Sequence, residues 1–138
     1  REHPVLLSRA LVQSAGENAQ PAIVNIVDQR ITNPNGDQLS YTLSKQALAA
    51  SVRSLAAAFG KRARVNGVAP GLVIPTDDYD DVQMARLNEE MPLGQLPDAQ
   101  AIAEAVFYLA KAKHVTGQIV FVDGGAHLRS YPRDFMHL

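Results

Sequence analysis

The sequence lacks cysteine and tryptophan altogether, and only 6% of its 138 residues are aromatic. Without cysteine, the chain has no disulfide scaffold, no thiolate zinc site and no cysteine nucleophile. Its 13 Lys and Arg residues nearly balance its 14 Asp and Glu residues, which argues against a basic nucleic-acid binder and an acidic disordered tail. No apolar run approaches the roughly 18–20 residues of a membrane span, and no signal-peptide layout is present. The composition therefore predicts a soluble, cytoplasmic protein.

The length suits a single domain over residues 1–138, with a core that hides about two-thirds of the surface of the unfolded chain. The first residue is Arg1, whereas a natural start would carry Met. We therefore expect the sequence to be part of a longer chain.

Hydrophobic periodicity predicts strands that alternate with helices. The run 22–27 is β-branched and apolar on both faces, as in a covered parallel strand, and the Ala-rich segment 39–59 is typical of a long helix that ends at Gly60. The other predicted elements are helices at 4–14, 82–90 and 98–111, the last with Asp98 as its N-cap, and strands at 64–68 and 117–123. Strands joined by helical crossovers indicate a parallel α/β sheet with right-handed connections.

Tyr41 and Lys45 lie four residues apart near the start of the long helix. This spacing is about one turn, or about 6 Å of rise, so both side chains share one face. A cation one turn away favours the phenolate and lowers the pKa of a tyrosine, which suits general acid–base work. An exposed helical pair without a chemical role has the same spacing, and spacing alone favours that interpretation.

Asp28 directly follows the first predicted strand. Sites in parallel α/β sheets form at the carboxyl ends of strands. Pro70 and Gly71 end the second strand and the segment 123–125 ends the third, so three strand ends and one helix face are predicted to converge on one crevice. As an alternative, Asp28 is a turn or capping carboxylate.

Four motifs in this order resemble the short-chain dehydrogenase/reductase family, namely residues 23–28, 41–48, 64–71 and 115–125. The resemblance implies a Rossmann-type, doubly wound parallel sheet of which the C-terminal half is present, in an NAD(P)-dependent oxidoreductase. It also implies that Tyr41 donates or accepts the substrate proton. Lys45 would lower the pKa of Tyr41 and hold the nicotinamide ribose.

The same resemblance implies further ligand contacts. Pro70, Gly71, Leu72 and Val73 would run beside the nicotinamide ring. Tyr79 lies on a loop that, in the family, closes over a small-molecule substrate, which makes it a candidate substrate contact.

Asp28 also departs from the family, which usually has Ser at this position. Asp here is similar to the pteridine reductases and dihydromonapterin reductases, as is the ending over residues 124–129. In those relatives an NADPH hydride reduces a pterin ring while Asp and Tyr manage protons, and a carboxylate suits hydrogen bonding to a pterin's amino and ring N–H groups. We therefore expect NADPH as cofactor and a pterin as substrate. A carbonyl substrate, or a site altered by the loss of Ser, is the alternative.

No glycine-rich phosphate fingerprint follows a strand and precedes a helix in this sequence. In the family this fingerprint lies upstream of every motif found here, and the active-site Asn would fall just before Arg1. The resemblance therefore implies that the N-terminal cofactor-binding half lies outside the sequence. A truncated, non-catalytic dimerising fragment is the alternative.

The long helix has small, apolar faces that suit the four-helix contact through which relatives form homodimers or homotetramers. The side chains in question are those of Leu48, Val52, Leu55 and Phe59. Burial within one chain explains the same pattern, and both interpretations stay open at this point.

The remaining polar clusters carry weaker signals. The acidic run 77–81 lacks the glycine and the distal glutamate of an EF-hand loop and is predicted to be a solvated loop rather than a cation site. No metal site is predicted. The four histidines show no metal-ligand spacing and no carboxylate partner at helical distance, so surface or packing roles are expected for His3, His114, His127 and His137. The basic cluster after the long helix is expected to complement the helix dipole through Lys61, Arg62 and Arg64.

Overall fold

The computed structural model describes residues 3–73 and 79–138, which form a three-stranded parallel sheet with helices on both faces. The strands are β1 (Ala22–Ile26), β2 (Arg64–Pro70) and β3 (Ile119–Val122), in the spatial order β1-β2-β3. All neighbours pair in parallel. The parallel α/β sheet predicted from the alternation of strands and helices is confirmed.

The central strand, β2, is longer than the predicted 64–68. Every residue from Arg64 to Ala69 is buried, because strands on both sides and helices on both faces cover it. Pro70 still pairs with Val122. It has no N–H group to donate, and the regular strand ends there.

Within the described residues, four α-helices accompany the sheet: α1 (His3–Ser14), α2 (Leu39–Phe59), α3 (Asp81–Glu90) and α4 (Ala99–Lys111). Asp98 accepts a hydrogen bond from the backbone N–H of Ala101 at 2.8 Å, which confirms the predicted N-cap of α4. Gly60 ends α2 with a φ of 53°, a left-handed conformation that glycine adopts without a Cβ penalty. Over the same described ranges, no helix combines the length and apolar character needed to cross a membrane.

Different helices cover the two faces of the sheet, because successive side chains of a strand point to opposite faces. Val65 lies in a core cluster with Val12 of α1 and with Val52 and Phe59 of α2. Its neighbour Arg64 points the other way, towards the end of α4. The sheet is therefore sandwiched between α1 and α2 on one side and α4 on the other.

Arg64 caps α4, so the expectation that it complements the dipole of α2 was wrong. Its side chain is buried, and its guanidinium donates to three carbonyl oxygens at the end of α4: Leu109 at 2.8 Å, Ala110 at 2.8 Å and Ala112 at 2.7 Å. The last carbonyls of a helix have no partner within the helix and carry partial negative charge, which a cation satisfies. The sequence could not reveal this role, since the partners lie 45 or more residues further along the chain.

The α2 side chains considered for a subunit contact pack inside this chain. Val52 is fully buried and Phe59 is 7% exposed. Leu55 packs against the same cluster, and Leu48 packs against a second one. Burial within one chain, the alternative held open from the sequence, is therefore confirmed for these positions.

Candidate active site

The carboxyl ends of the three strands lie along one edge of the sheet, as predicted. Val27 extends β1 by donating its N–H to Val68 O at 2.8 Å, and Gly71 extends β2 by donating to Val122 O at 3.1 Å. A Cβ atom at Gly71 would lie 3.0 Å from Cα of Asp123. The lack of a side chain at Gly71 thus permits the close approach of the ends of β2 and β3.

Asp28 uses its two carboxylate oxygens for two different bonds. Oδ1 accepts from the backbone N–H of Arg30 at 2.8 Å and caps the 3₁₀ turn at 29–31. Oδ2 accepts a hydrogen bond from the hydroxyl of Tyr41 at 2.7 Å. The capping role, held as the alternative in the sequence, is confirmed, and the same carboxylate also contacts the Tyr41 hydroxyl.

Tyr41 and Lys45 share a face of α2, as their spacing predicted. The Lys45 ammonium lies 5.7 Å from the centroid of the Tyr41 ring and donates a hydrogen bond to Ile26 O at 3.0 Å. The Tyr41 side chain is 41% exposed. Asp28, Tyr41 and Lys45 are therefore brought together at the end of β1.

The pKa of Tyr41 is raised well above its ordinary value, the opposite of the direction expected from the Tyr-x-x-x-Lys spacing. Burial is the largest cause, followed by the hydrogen bond to Asp28 and the negative charge of Asp28. Arg30 acts in the lowering direction and Asp134 in the raising one. The lowering expected from Lys45 does not prevail because the phenol is partly buried and in direct contact with Asp28, whereas the ammonium lies over the ring, 5.7 Å from its centroid.

Arg30 is a candidate functional residue that the sequence reasoning missed. Its side chain is buried, and its Cζ atom lies 6.0 Å from the Tyr41 ring centroid. Nη1 forms a salt bridge with Asp134 at 3.0 Å, across 104 residues of sequence. The sequence signal is limited to the place of Arg30 two residues after Asp28, because its partners are set by the tertiary fold.

His127 has a carboxylate partner, so the expectation that it has none was wrong. Its Nδ1 lies 2.8 Å from Oδ2 of the buried Asp123, and its ring stacks on Phe121 with centroids 4.1 Å apart. The backbone oxygen of His127 accepts from Asn33 Nδ2 at 2.7 Å, which links the turn after β3 to the loop after Asp28. The separation of four residues between Asp123 and His127 was visible in the sequence and was overlooked.

Leu72 and Tyr79 both pack against one buried cluster, which contains Leu87 of α3 and Phe135 near the C-terminus. Val73 follows Leu72 at the end of the first described range. Of the acidic run, residues 77 and 78 lie outside the described residues. Asp80 caps α3 by accepting from the N–H of Gln83 at 2.7 Å.

The chain is similar to known oxidoreductases over most of its length. Residues 4–127 match the family model described as Enoyl-(Acyl carrier protein) reductase. The 3-oxoacyl-[acyl-carrier-protein] reductase of Bos taurus is 35% identical over 125 residues, which cover 90% of this chain and 52% of the relative. Pteridine reductase 1 of Leishmania tarentolae is 36% identical over 111 residues, which cover 78% of this chain and 38% of the relative.

A solved structure matches the fold as well. The crystal structure of FolM alternative dihydrofolate reductase 1 from Brucella suis in complex with NADP aligns with a TM-score of 0.83 and 35% identity, covering 93% of this chain and 50% of that chain. This chain thus spans between 38% and 52% of the length of these two curated relatives. The parallel sheet with flanking helices is Rossmann-like, in agreement with that structure. The chain belongs to the short-chain dehydrogenase/reductase family.

Proposed function

We propose that this chain supplies the catalytic residues of an NADPH-dependent reductase whose substrate is a pterin-type compound, a dihydropteridine. The observation that carries the proposal is the 2.7 Å hydrogen bond from the Tyr41 hydroxyl to Asp28 Oδ2. It joins a phenol that can donate a proton to a carboxylate that can accept hydrogen bonds. The pair lies at the carboxyl end of a parallel strand, where ligands of such sheets bind.

Tyr41 is the proton donor in this proposal. Burial and Asp28 keep its pKa above the ordinary value, so the phenol is protonated at neutral pH. When bound, NADPH supplies a hydride to the carbon of the substrate's C=N or C=O bond. Tyr41 donates its proton to the nitrogen or oxygen of that bond. A phenolate beside the Asp28 carboxylate is unfavourable, so Asp28 is expected to take up a proton from solvent and pass it to Tyr41.

Asp28 is the residue that favours a pterin. A carboxylate accepts hydrogen bonds from amino and ring N–H groups more strongly than the serine hydroxyl that is usual in the family. Two similar proteins have names that point to this substrate class, pteridine reductase 1 at 36% identity and FolM alternative dihydrofolate reductase 1 at 35%. We also assign Tyr79 to the substrate side, because its loop closes over the substrate in the family.

The residues present fit the nicotinamide end of NADPH. Among the described residues, the bond from Lys45 Nζ to Ile26 O uses one of the three N–H donors of the ammonium, and the others can serve the ribose hydroxyls. Gly71 leaves the end of β2 without a side chain, and we assign the strand end at 70–73 to the ring. The NADP in the similar Brucella suis structure supports NADP rather than NAD.

Replacing Tyr41 by Phe tests the role of the phenol. We expect turnover to fall about 10²–10⁴-fold, the usual contribution of a general acid, while the affinity for NADPH changes little. Tyr108→Phe is the matched control, since Tyr108 is an exposed tyrosine on α4. Near-normal turnover in Tyr41→Phe would exclude Tyr41 as the proton donor.

A side-by-side assay of dihydrobiopterin, dihydromonapterin and simple ketones with NADPH tests the substrate class. A carbonyl substrate is the second candidate, favoured by the 35% identity to the Bos taurus 3-oxoacyl-[acyl-carrier-protein] reductase. Turnover of the ketones alone would refute the pterin and support this candidate.

A non-catalytic chain that only self-associates is the third candidate. The outward leucines on α1 and α2 favour a homodimer or homotetramer, since Leu7 is 69% exposed and Leu43 is 54% exposed. Titration with NADPH, followed by nicotinamide fluorescence and thermal shift, distinguishes it from the enzyme. A stable dimer by light scattering without any response to NADPH would favour the third candidate.

A further inference from the structure

Arg30 joins the turn after Asp28 to the loop that leads into α2. Its backbone N–H donates to Asp28 Oδ1 at 2.8 Å. Its guanidinium donates to three groups of the loop: Asn35 Oδ1 at 2.6 Å, Asp37 O at 2.5 Å and Gln38 Oε1 at 3.2 Å. Gln38 directly precedes α2, whose first turn carries Tyr41. One residue therefore contacts both the carboxylate of the Asp28–Tyr41 pair and the segment that orients the phenol.

The C-terminal segment, defined as residues 129–138, holds the same guanidinium. Asp134 Oδ2 forms a salt bridge with Arg30 Nη1 at 3.0 Å, with side chains 17% and 6% exposed respectively. The backbone N–H of Asp134 donates to Asp37 Oδ2 at 2.8 Å, and Arg133 lies 3.3 Å from Asp37 Oδ1. These contacts, the Asp134 bond first and Arg133 second, hold the pKa of Asp37 below its usual range. The C-terminal segment is thus bonded both to Arg30 and to the loop.

The buried position of Arg30 requires the planar shape of its guanidinium. A guanidinium is unfavourable in the interior unless its charge is paired and its donors are satisfied. A planar fork reaches several acceptors at once, which the single ammonium of a lysine does not. The charged groups that face Tyr41 are Asp28, Arg30, Lys45 and Asp134. Arg30 contacts Asp28 through its backbone N–H and Asp134 through its side chain.

We propose that Arg30 and Asp134 are positioning residues for the Asp28–Tyr41 pair, and that the C-terminal segment is thereby part of the catalytic architecture. Arg30 sets the separation between the Asp28 carboxylate and the first turn of α2. Asp134 holds Arg30 in the orientation that does so. The consequence for catalysis rests on the function proposed above, whereas the geometric claim is independent of it.

The test measures the ionisation of Tyr41 in folded Arg30→Lys and Asp134→Asn variants by NMR of carbon-13-labelled tyrosine. A loosened bond to Asp28 and greater exposure both lower the pKa of Tyr41. At a fixed alkaline pH we expect the ionised fraction of Tyr41 to rise about ten-fold in Arg30→Lys, which is a pKa lowered by about 1. A smaller rise is expected in Asp134→Asn. Lysine keeps the positive charge, so its effect reports the lost hydrogen bonds.

Exposed residues supply the matched controls, Arg53→Lys on α2 and Glu104→Gln on α4, which should leave the ionisation of Tyr41 unchanged. If Arg30→Lys does not fold, Arg30→Gln carries the test: loss of the cation alone would raise the pKa of Tyr41, so a lowered pKa there reports lost positioning. Variants that fold with lower thermal stability but ionise Tyr41 as in the unsubstituted protein would overturn the inference, because that is the result of a purely structural role.

Turnover separates this inference from the proposed function. With an active substrate, the two variants should lower kcat while the KM and the affinity for NADPH change little. If Tyr41 ionisation shifts as expected but the unsubstituted protein reduces no pterin, the positioning role stands and the proposed substrate fails.

Discussion

Replacing Asp28 by Asn isolates the effect of one carboxylate on the chemistry of Tyr41. Asparagine keeps an oxygen that can accept from the backbone N–H of Arg30, which lies 2.8 Å from Asp28 Oδ1 in the unsubstituted chain. It is also a good helix cap. It replaces the anionic acceptor that lies 2.7 Å from the Tyr41 hydroxyl by a neutral amide. The fold should therefore survive while the pKa of Tyr41 falls.

The expected size of that fall follows from the contacts that are lost. Burial, the largest cause of the raised pKa, stays in place, whereas the hydrogen bond and the negative charge of Asp28 both disappear. A hydrogen bond to a charged group contributes about 1.5–3 kcal/mol, and 1.36 kcal/mol corresponds to one pKa unit. Because Tyr41 is 41% exposed and solvent weakens such interactions, the lower end applies. We expect a decrease of about 1.

Tyrosine ionisation can be followed by tyrosinate absorbance and by carbon-13 NMR of the ring, which resolves Tyr41 from the other tyrosines. Asp98→Asn is the matched control, since Asp98 also caps a helix through a 2.8 Å bond to a backbone N–H. It should leave the pKa of Tyr41 unchanged. An unchanged pKa in a folded Asp28→Asn variant would refute the reasoning, because the contact with Asp28 would then have no electrostatic effect.

The same pair predicts a dependence of stability on pH. The pKa of Tyr41 is higher in the folded chain than in the unfolded chain, where it is about 10. The stabilisation from the protonated phenol is therefore complete below about pH 10 and is lost as the pH rises above that value. Asp28→Asn has a lower folded-state pKa, so its alkaline loss should end at a lower pH and be smaller in total, as measured by urea unfolding at several pH values.

Two further substitutions test the packing around the site. Gly124→Ala should lower the free energy of unfolding by about 1–3 kcal/mol through its φ of 67° alone, and by more because the added Cβ would overlap Gln95 O. Gly94→Ala, at a φ of 74° with open space around it, isolates the backbone part, so equal losses would contradict the overlap. Arg64→Met should cost about 2–4 kcal/mol because it removes three hydrogen bonds to carbonyls at the end of α4. In urea unfolding, the exposed Arg62→Met should cost far less, and a similar loss would show that the cap of α4 contributes little.

The sequence was sufficient to predict the elements that place the site. Short-range signals determine these elements, such as the β-branched run of β1, the Ala-rich α2 and the cap at Asp98, and each acts within a few residues. The position of Asp28 at a strand end and of Tyr41 one turn before Lys45 followed from the same signals. Their convergence then follows from parallel topology alone.

The long-range contacts of charged residues could not be predicted in this way. Arginines are usually exposed, yet Arg30 and Arg64 are buried. All acceptors of the Arg64 guanidinium are far along the chain, and Arg30 is paired with the distant Asp134 besides acceptors in the neighbouring loop. The predicted direction of the Tyr41 pKa shift was wrong because burial and the contact with Asp28, its largest causes, both depend on the tertiary fold. The spacing to Lys45 is local, whereas the contact with Asp28 depends on how the loop at 29–38 folds back between β1 and α2.

Asp28 raises the pKa of Tyr41 through direct contact with its hydroxyl, whereas the two nearby cations lie over the ring. The carboxylate oxygen lies 2.7 Å from the hydroxyl, and the cations of Lys45 and Arg30 lie 5.7 Å and 6.0 Å from the ring centroid. Burial is the largest cause of the raised pKa, and the raising effect of Asp28 exceeds the lowering effect of Arg30, as expected because Coulomb energy falls as the inverse of distance. Neutralising Asp28 therefore lowers the pKa of Tyr41 but leaves the effect of burial in place. In Asp28→Asn we expect a phenol that is still protonated at neutral pH and that ionises more readily at alkaline pH.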